Sequence, residues 1–560
     1  MSAHYGKFVA YFRVSTDKQG KSGLGLEAQR EAVMNYLNGG RWTLAGEFTE
    51  VESGKRNDRP ELEKALAAQT TATPHIENAT LNTNTAPAME VAQGDQKPKE
   101  SPLSFRIGGM DFTPGGFAEV NNIFRTVNTG SVVSTNFSTI PFNNATAGQL
   151  TEFRSSGQYS RFSLKMAGKF GDNNLTGYIE GDFNGNDANN VFATTNPHTM
   201  RLRLYYLNAK RGQWEFTGGQ VWSLITPNKV GVGPMGADLA TTQSADGNIH
   251  VGMMYARDGQ FRVAYKPNDN FSWAVSVENP QQITNGEIVV PGAFNGATAL
   301  GSTAGVAIDG INTPGVPNLF PDIMTKMAWD TKAAGRAFHL EVGGLMTSAK
   351  VAVQPTPITP GEAFAKHSTI GGGFMGGFNF ELFKNFRLLG NAAYGPGIGR
   401  YFNAWGPQLV VVPINFAAAT CTSAGGCDVK VSMVHAGSGI GGIETQLGPK
   451  TLLAAYYGGE YYGRNAFPDI TSAAVIKPII GFGGAGSASN NNRAIQEGSL
   501  VLTQTLWKNN QYGALLLIND ASYSTRAPWF VNKNVATGAL LAPKNAHMFM
   551  DHLVLRYVLP

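Results

Sequence analysis

Basic side chains alternate with apolar ones in several segments of this 560-residue sequence. Arg161, Lys165 and Lys169 share one parity, whereas Phe162 and Leu164 share the other. Side chains two residues apart in an extended chain lie on the same face. A wet face that carries several cations raises the local concentration of anions. The chemistry predicted from this pattern is electrostatic attraction of anionic solutes.

Other segments of the same kind are predicted to extend this charged face. Its basic members are Arg161, Lys165, Lys169, Arg201, Arg203, Arg262 and Lys266, and the acidic side chains facing them are Glu180, Asp182 and Glu278. Opposed charges of this kind would build a transverse electric field across a water-filled lumen. Alternatively, they are ordinary solvated side chains, and the sequence leaves both interpretations open.

Two cysteines, Cys421 and Cys427, are separated by five residues in the stretch CTSAGGC. This spacing predicts a small loop closed by a disulfide bond, which requires an oxidising compartment. Two unpaired thiols are the alternative. A metal site is disfavoured because no histidine or further cysteine stands nearby. We predict no metal, no cofactor and no enzymatic activity for this part of the chain.

The alternating segments predict β-strands with one apolar and one polar face. Short turns at residues 171–174, 267–270 and 383–385 separate some of them, whereas other connections run for 20 to 40 residues. Short turns at one end and long loops at the other are typical of an outer-membrane up-and-down barrel. A soluble β-sandwich would also alternate, but its connections would not sort in this way. We therefore predict an all-β fold, a 16-stranded antiparallel transmembrane β-barrel.

Aromatic residues near the ends of the candidate strands are predicted to form interfacial girdles. They are Tyr205, Tyr206, Trp214, Trp222, Tyr255, Trp273, Trp329, Tyr456, Tyr457 and Trp507. The long, glycine-bearing segment 226–248 follows a strong candidate strand. It is the candidate for a loop that folds into the lumen and narrows it.

The composition divides the chain into three parts. About 28% of residues 1–69 are charged, against about 13% of the remainder, which holds most of the 68 glycines. Residues 70–102 are rich in Thr, Asn, Ala and Pro, and we predict a disordered linker there. The overall charge of +4 and the charged fraction of 15% argue against a coiled coil, a disordered acidic tail or a basic nucleic-acid-coating protein.

Residues 1–69 are predicted to start an α/β domain. Phe8–Val14 is rich in strand formers, Leu24–Leu37 has helical apolar spacing, and Trp42–Phe48 is predicted to be extended. Three blocks in order, YFRVSTDKQG, GLGLEAQREAV and EFTEVESGKRNDRPELEKAL, resemble the catalytic domain of the serine recombinases, the resolvases and invertases.

This resemblance implies a site for phosphoryl transfer on DNA. It implies Ser15 as the nucleophile, Arg13 and Arg59 as phosphate-binding residues, and Ser53 as a small polar residue near the site. The family's following LDRLGR-type segment and its helix-turn-helix are missing here, because the chain runs into the linker instead. The domain is therefore predicted to be truncated and inactive, and DNA is a partner expected for this fragment only if it retains activity.

Residues 103–560 carry a second resemblance. The blocks SFRIGGMDFTPGGFAEVNNIFR and RLRLYYLNAKRGQWEFTGGQVWSL are similar to bacterial outer-membrane porins of the acidobacterial, DcaP-like kind. The resemblance implies a trimeric, 16-stranded diffusion channel for small, often anionic solutes, with outer-membrane lipid as its surroundings. The final stretch HMFMDHLVLRYVLP partly fits the terminal signal read by the barrel-assembly machinery, although it ends in Pro560.

Three functions remain as alternatives at this point. The first is an outer-membrane porin that carries a recombinase fragment, which makes the chain a chimera. The second is a site-specific recombinase with a passenger barrel, and the third is a barrel with a purely structural role. Residues 1–20 lack the features of a signal peptide, so we interpret the start of the chain as a fusion that replaced the export signal of a porin.

Overall fold

The structure is a computed structural model with two compact units, residues 1–81 and residues 82–560. In the first unit it describes residues 6–14, 29–31, 33 and 42–51. In the second it describes residues 101–560 except 186–197, 237, 281–287, 290–317, 354–364, 404–405, 416–427, 471–473, 485–490, 532 and 534–535.

The first unit contains two parallel strands, β1 (Gly6–Val14) and β2 (Trp42–Val51). Residues 29–31 and 33, which lie between the strands in sequence, are helical. Ala10 and Phe12 of β1 are buried. The order strand, helix, parallel strand is the α/β order predicted from the sequence. The predicted linker lies almost entirely outside the described residues.

The second unit is built from antiparallel strands that close into a barrel. The strands of the barrel are β3 (Phe105–Ile107), β4 (Met110–Arg125), β5 (Glu152–Ser156), β6 (Arg161–Phe170), β7 (Asn173–Asp182), β8 (Arg201–Arg211), β9 (Trp214–Trp222), β10 (Arg257–Tyr265), β11 (Phe271–Glu278), β13 (Asp322–Ala333), β14 (Arg336–Val353), β15 (Ala365–Phe383), β16 (Phe386–Pro396), β19 (His435–Gly448), β20 (Thr451–Tyr462), β23 (Asn492–Asn509), β24 (Gly513–Pro528) and β25 (Ala546–Val558).

These strands occupy sixteen positions around the barrel, because two positions are each filled by two pieces of chain. β25 pairs with residues 117–125 of β4, and the short β3 pairs with residues 110–112 of the same strand. On the other side of β4, β5 pairs with residues 121–125 and β6 with residues 110–117. The predicted 16-stranded antiparallel barrel is thereby confirmed.

The connections sort by length between the two ends of the barrel. Turns such as the one between β6 and β7 span only two residues, and Gly171 in that turn has a φ of 57°. The turn between β15 and β16 contains Asn385 with a φ of 68°. Glycine and asparagine tolerate this left-handed conformation. The long connections, such as residues 223–256 between β9 and β10, leave and re-enter the barrel wall at the opposite end.

The predicted alternation is present in the exposure of the side chains. On β10, Phe261 is 78% exposed, whereas its neighbour Arg262 is 3% exposed. On β11, Trp273 and Val277 are exposed, whereas Glu278 is buried. The outer face is therefore apolar and the inner face is polar, as in a barrel whose outside contacts lipid.

Smaller elements lie in the long connections. The strands β12 (Ile288–Val289), β17 (Leu409–Asn415) and β18 (Asp428–Met433) form one sheet, and β21 (Asn465–Pro468) pairs with β22 (Ile479–Phe482). Short 3-10 helices cover Phe137–Thr139, Thr146–Gln149 and Gly399–Tyr401.

Within the described residues, no helix is long and apolar enough to cross a membrane.

The aromatic residues predicted to form girdles divide into two groups. Those on the outer face are Tyr205, Trp214, Trp273, Trp329, Tyr457 and Trp507, each more than one-third exposed. Tyr206, Trp222 and Tyr456 are buried and Tyr255 packs against the interior, so the girdle prediction is wrong for these four. Tyr206 and Tyr456 have the inward parity of their strands, whereas Trp222 is the last residue of β9 and Tyr255 lies just before β10. Proximity to a strand end does not reveal which side such residues face.

Candidate functional site: the lumen and its inner loop

Residues 223–256, here called the inner loop, lie inside the barrel. They connect β9 to β10, yet they contact strands on distant parts of the ring. The Nζ of Lys229 is 3.0 Å from a carboxylate oxygen of Glu444 on β19. The backbone N–H of Val251 donates to Glu497 on β23 at 3.1 Å. These contacts place the segment predicted to fold inward across the lumen.

Carboxylates on the barrel wall accept hydrogen bonds from backbone N–H groups of the inner loop. Buried N–H groups without regular secondary structure need such partners. We call these six acceptors the wall carboxylates. The donors and acceptors are Leu224 to Glu278, Asn228 to Glu341, Gly231 to Asp330, Gln243 to Asp520, Val251 to Glu497, and Gly252 to Glu460.

Basic groups of the wall bind the carbonyl side of the same loop. Lys326 donates to the carbonyl of Thr226 at 2.9 Å and is 3.0 Å from Glu341. Arg262 donates to the carbonyls of Val232 and Gly233 at 3.2 and 3.1 Å. The predicted pore-lining Arg262 therefore holds the loop.

Apolar side chains of the inner loop fill part of the lumen. Ile225, Ile249 and Met254 are completely buried and belong to one apolar cluster with Phe137 and Phe402 from other long connections. The interior is thus not a uniformly wet channel. Any path for solutes must run beside this packed material.

Four arginines surround a single aspartate of the inner loop. The nearest nitrogens of Arg203, Arg201, Arg161 and Arg257 lie 2.8, 3.4, 3.7 and 3.9 Å from carboxylate oxygens of Asp246. We call these four residues the arginine cluster. Three of its members come from the wall strands β6 and β8, and the fourth begins β10.

Two carboxylates of β7 complete the network. Arg201 and Arg203 each place a nitrogen 2.7 Å from Asp182, and Arg203 also lies 2.9 Å from Glu180. Arg161 lies 3.6 Å from Glu180. The register of the strands explains this arrangement, because Asp182 stands opposite Arg161 on one side and Arg201 on the other.

The arginine cluster also sets the protonation of the loop aspartate. Burial by itself would raise the pKa of Asp246, but Arg203, Arg201, Arg257 and Arg161 outweigh burial and hold the pKa well below its ordinary value. Asp246 is therefore ionised at neutral pH. By contrast, burial raises the pKa of Asp238 in the same loop, and the positive charge of Lys229 offsets this only in part.

The predicted charged face is present, but its charges are arranged differently from the expected transverse field. Glu180 and Asp182 do not face the arginines across water, because they are their direct ion-pair partners. Glu278 is a wall carboxylate that accepts from Leu224. Adjacent antiparallel strands bring opposite charges side by side, whereas alternation alone does not tell which charges pair.

The predicted lysines lie nearer the short-turn end of the barrel. Lys165 is half-buried on β6, and Lys169 is exposed beside the turn that follows. Lys266 directly follows β10 and lies 3.5 Å from Glu215. These side chains are more accessible to water than Arg203.

The remaining predicted site residues fall largely outside the described part of the chain. Arg13 occupies a described position on β1, opposite Glu50 in the register, but its side chain is not described. Ser15, Ser53, Arg59, Cys421 and Cys427 lie outside the described residues. Among the residues that the structure does describe, no group of three or more His, Cys, Asp or Glu could hold a metal ion.

Comparisons with known proteins assign the two parts of the chain separately. Residues 8–74 match the family "Resolvase, N terminal domain". The structure is similar to the outer membrane channel DcaP of Acinetobacter baumannii, with a TM-score of 0.51 and 16% sequence identity over 80% of this chain and 97% of that chain. The barrel has the fold of the outer-membrane porins. The chain therefore combines a resolvase-like fragment with a porin-like barrel.

Two further solved structures are more distant. An anion-selective porin from Comamonas acidovorans has a TM-score of 0.41 and 10% identity over 80% of this chain and 99% of that chain. OprB of Pseudomonas putida has a TM-score of 0.40 and 11% identity over 80% of this chain and 94% of that chain. No curated protein matches the sequence significantly.

Two central residues of the porin-like barrel's charge network escaped the sequence interpretation. Asp246 lies within the segment predicted to fold inward. An ion pair between this acidic residue and the basic face of the barrel could have been predicted. Arg257 shares its parity with the outward Phe261 and Val263, so strict alternation assigns it to the wrong side. As the first residue of β10, it is free to turn toward Asp246 and to stack over Trp222 at 5.1 Å.

Proposed function

We propose that this protein is an outer-membrane porin through which small hydrophilic solutes diffuse, with anions preferred. One observation carries the proposal: a closed barrel of sixteen strand positions has an apolar outer face and a charged inner face, and a long loop crosses its lumen. Such a loop would set the width and charge of the path, as the inward side chains of a channel do.

The proposed anion preference rests on the charge of the arginine cluster and of the lysines on the same wall. The arginine cluster carries four positive charges against the three carboxylates Glu180, Asp182 and Asp246. Lys165 and Lys169 add accessible positive charge on the same wall. The excess positive charge of this cluster and these lysines attracts anions to this part of the wall.

Planar bilayer recordings of the full-length protein test both parts of this proposal. We expect stepwise conductance, and in a tenfold KCl gradient a reversal potential whose sign indicates anion preference. Steps with cation preference would refute the anion preference and leave the porin function intact. An absence of steps from correctly folded, heat-modifiable protein would refute diffusion.

A barrel with a purely structural role is the second candidate. The completely buried Ile225, Ile249 and Met254 favour it, because apolar packing inside a barrel blocks a water path. The same recordings decide between the two functions, since a closed structural barrel conducts nothing.

The proposed membrane location and assembly rest on the resemblance to outer-membrane porins and on the apolar outer face of the barrel. We propose outer-membrane lipid as its surroundings, a homotrimer as its assembly, and insertion by the barrel-assembly machinery through the terminal strand β25. Native gels of membrane extracts should show a species of about three times the chain mass that dissociates on boiling. A monomer alone would refute the trimer.

For residues 1–69 we propose an inactive recombinase fragment. The proposal rests on the missing second half of the catalytic domain. Incubation of the full chain with supercoiled plasmids that carry recombination sites of serine recombinases should give no covalent protein–DNA adduct. An adduct that Ser15→Ala abolishes would show that the fragment is active.

A further inference from the structure

The arginine cluster has features of an anion-binding site whose anion is part of the protein. Asp246 is the member of the network that comes from the inner loop, whereas Glu180 and Asp182 belong to the wall. Its carboxylate lies within 4 Å of all four guanidinium groups. Chemically, this side chain is an acetate ion tethered to the loop.

The site is not saturated with negative charge. Four guanidinium groups face three carboxylates, so one positive charge is not balanced inside the cluster. The Nη1 of Arg257 and the Nε of Arg161 are buried and have no hydrogen-bond partner. Arg257 reaches Asp246 only at 3.9 Å, which is too long for a hydrogen bond. These two donors would be available to an oxyanion that takes the place of the Asp246 carboxylate.

Guanidinium groups match the planar geometry of carboxylates, which they bind through paired hydrogen bonds. In an enclosed site such bonds are stronger than at an exposed surface. We propose that the arginine cluster is a binding site for small carboxylate anions, and that Asp246 occupies it as a tethered ligand. Asp246 thereby excludes free anions from the site and lowers the anion preference of the lumen. The effect on preference rests on the porin function proposed above.

Removing the tethered ligand should open the site to carboxylates in solution. In Asp246→Ala, Arg161, Arg201 and Arg203 keep their wall partners, but the cluster loses one negative charge and the space of the carboxylate becomes free. We expect 100 mM sodium formate, compared with sodium chloride at equal ionic strength, to raise the midpoint of heat unfolding of this variant by at least about 3 °C. The wild-type midpoint should not change, because its site is filled.

Asp238→Ala is the matched control for the stabilisation of Asp246→Ala by formate. Asp238 lies in the same loop and accepts from the backbone N–H of Lys229 at 3.1 Å. Its replacement removes the same group without affecting the arginine cluster. An equal response to formate in both variants, or no response in either, would overturn the proposal.

A second experiment measures the ratio of anion to cation permeability. It uses a variant of Asp246 that keeps the shape of the side chain. Asp246→Asn should raise the ratio of anion to cation permeability at least about threefold, because the lumen gains net positive charge beside unused donors. Asp238→Asn replaces a carboxyl group of the same loop outside the arginine cluster and should have a smaller effect. An equal change in the two variants would overturn the proposal.

The two measurements separate the site from the channel function. If the wild-type protein conducts nothing, the proposed porin function fails, and the formate response of Asp246→Ala, measured on heat unfolding alone, still decides whether the site exists. If Asp246→Ala does not fold, Asp246→Ser gives the truncated side chain for the same rescue.

Discussion

Arg203 illustrates what buried charge does inside this barrel. Its side chain is 1% exposed and makes ion pairs with Glu180, Asp182 and Asp246. Because each carboxylate would be costly to bury alone, the guanidinium group offsets part of the cost of burying all three. Much of the inward charge therefore stabilises the position of the inner loop.

Replacement of Arg203 should destabilise the barrel strongly. We expect Arg203→Ala to lower the free energy of unfolding by about 3–5 kcal/mol, because it removes the buried cation that three buried carboxylates share. Urea titration in detergent micelles measures this loss. Lys169→Ala, at an exposed position, should change stability by less than about 0.5 kcal/mol. A similar small change for Arg203→Ala would contradict the argument.

The pH dependence of stability should report on Asp246. Its pKa in the folded protein lies below the ordinary value, so it contributes stability at neutral pH that disappears as the pH falls from the unfolded-state pKa, about 3.9, toward the folded pKa. The stability difference between wild type and Asp246→Asn should be constant from pH 7 to about 5 and shrink below about pH 4. Heat-unfolding midpoints across this range are the measurement, and a difference that grows on acidification would be evidence against it.

At the level of residues, the sequence predicted which side chains face the inside of the barrel, but not which of them form ion pairs. Alternation placed Arg161, Arg203 and Glu180 on the inner side, where the structure has them. The ion pairs depend on register, and register includes a shift between β7 and β8 near Glu180 and Gly181. This shift lets Arg203 and Leu204, neighbours in sequence, both be buried. A strict period of two does not predict such a bulge.

At the level of elements, the position of the inner loop could be predicted from its length and glycine content. The contacts that hold the loop there could not be predicted, because the wall carboxylates lie on strands that are spread over the sequence. Glu460 and Glu497 are an example, since they accept from the adjacent residues Gly252 and Val251. Each accepts a hydrogen bond from the loop backbone at 3.1 Å.

Removing these two acceptors together should loosen the inner loop. In the double variant Glu460→Leu, Glu497→Leu, two buried N–H groups lose their partners, at about 1–3 kcal/mol each. We expect larger single-channel conductance with more current noise, because the loop samples positions away from the wall. Gln496→Leu on the exposed face of β23 is the control. Recordings that match the wild type would show that other contacts suffice to hold the loop.

For the whole molecule, the strand number was predictable, but the way the barrel closes was not. β25 and the short β3 share one position, and the hydroxyl of Ser101 donates to the carbonyl of Pro560 at 2.8 Å. Arg556 on β25 is paired with Glu119 on β4 across this closure. Because the contact joins the two ends of the barrel sequence, no local pattern reveals it.

The described hydrogen-bond network of the barrel begins at Ser101, and the first unit has its own sheet of β1 and β2. A chain shortened to residues 96–560 should therefore refold in detergent with the same heat-unfolding midpoint, within about 2 °C, as the full chain. A chain that begins at residue 109 lacks Ser101 and β3. It should be less stable, because residues 110–112 of β4 lose the strand with which they pair and become an exposed edge. Heat-shifted migration on gels measures all three chains. If the chain of residues 96–560 proves as unstable as the one that begins at residue 109, the first unit contributes to the barrel and the division into two independent units is wrong.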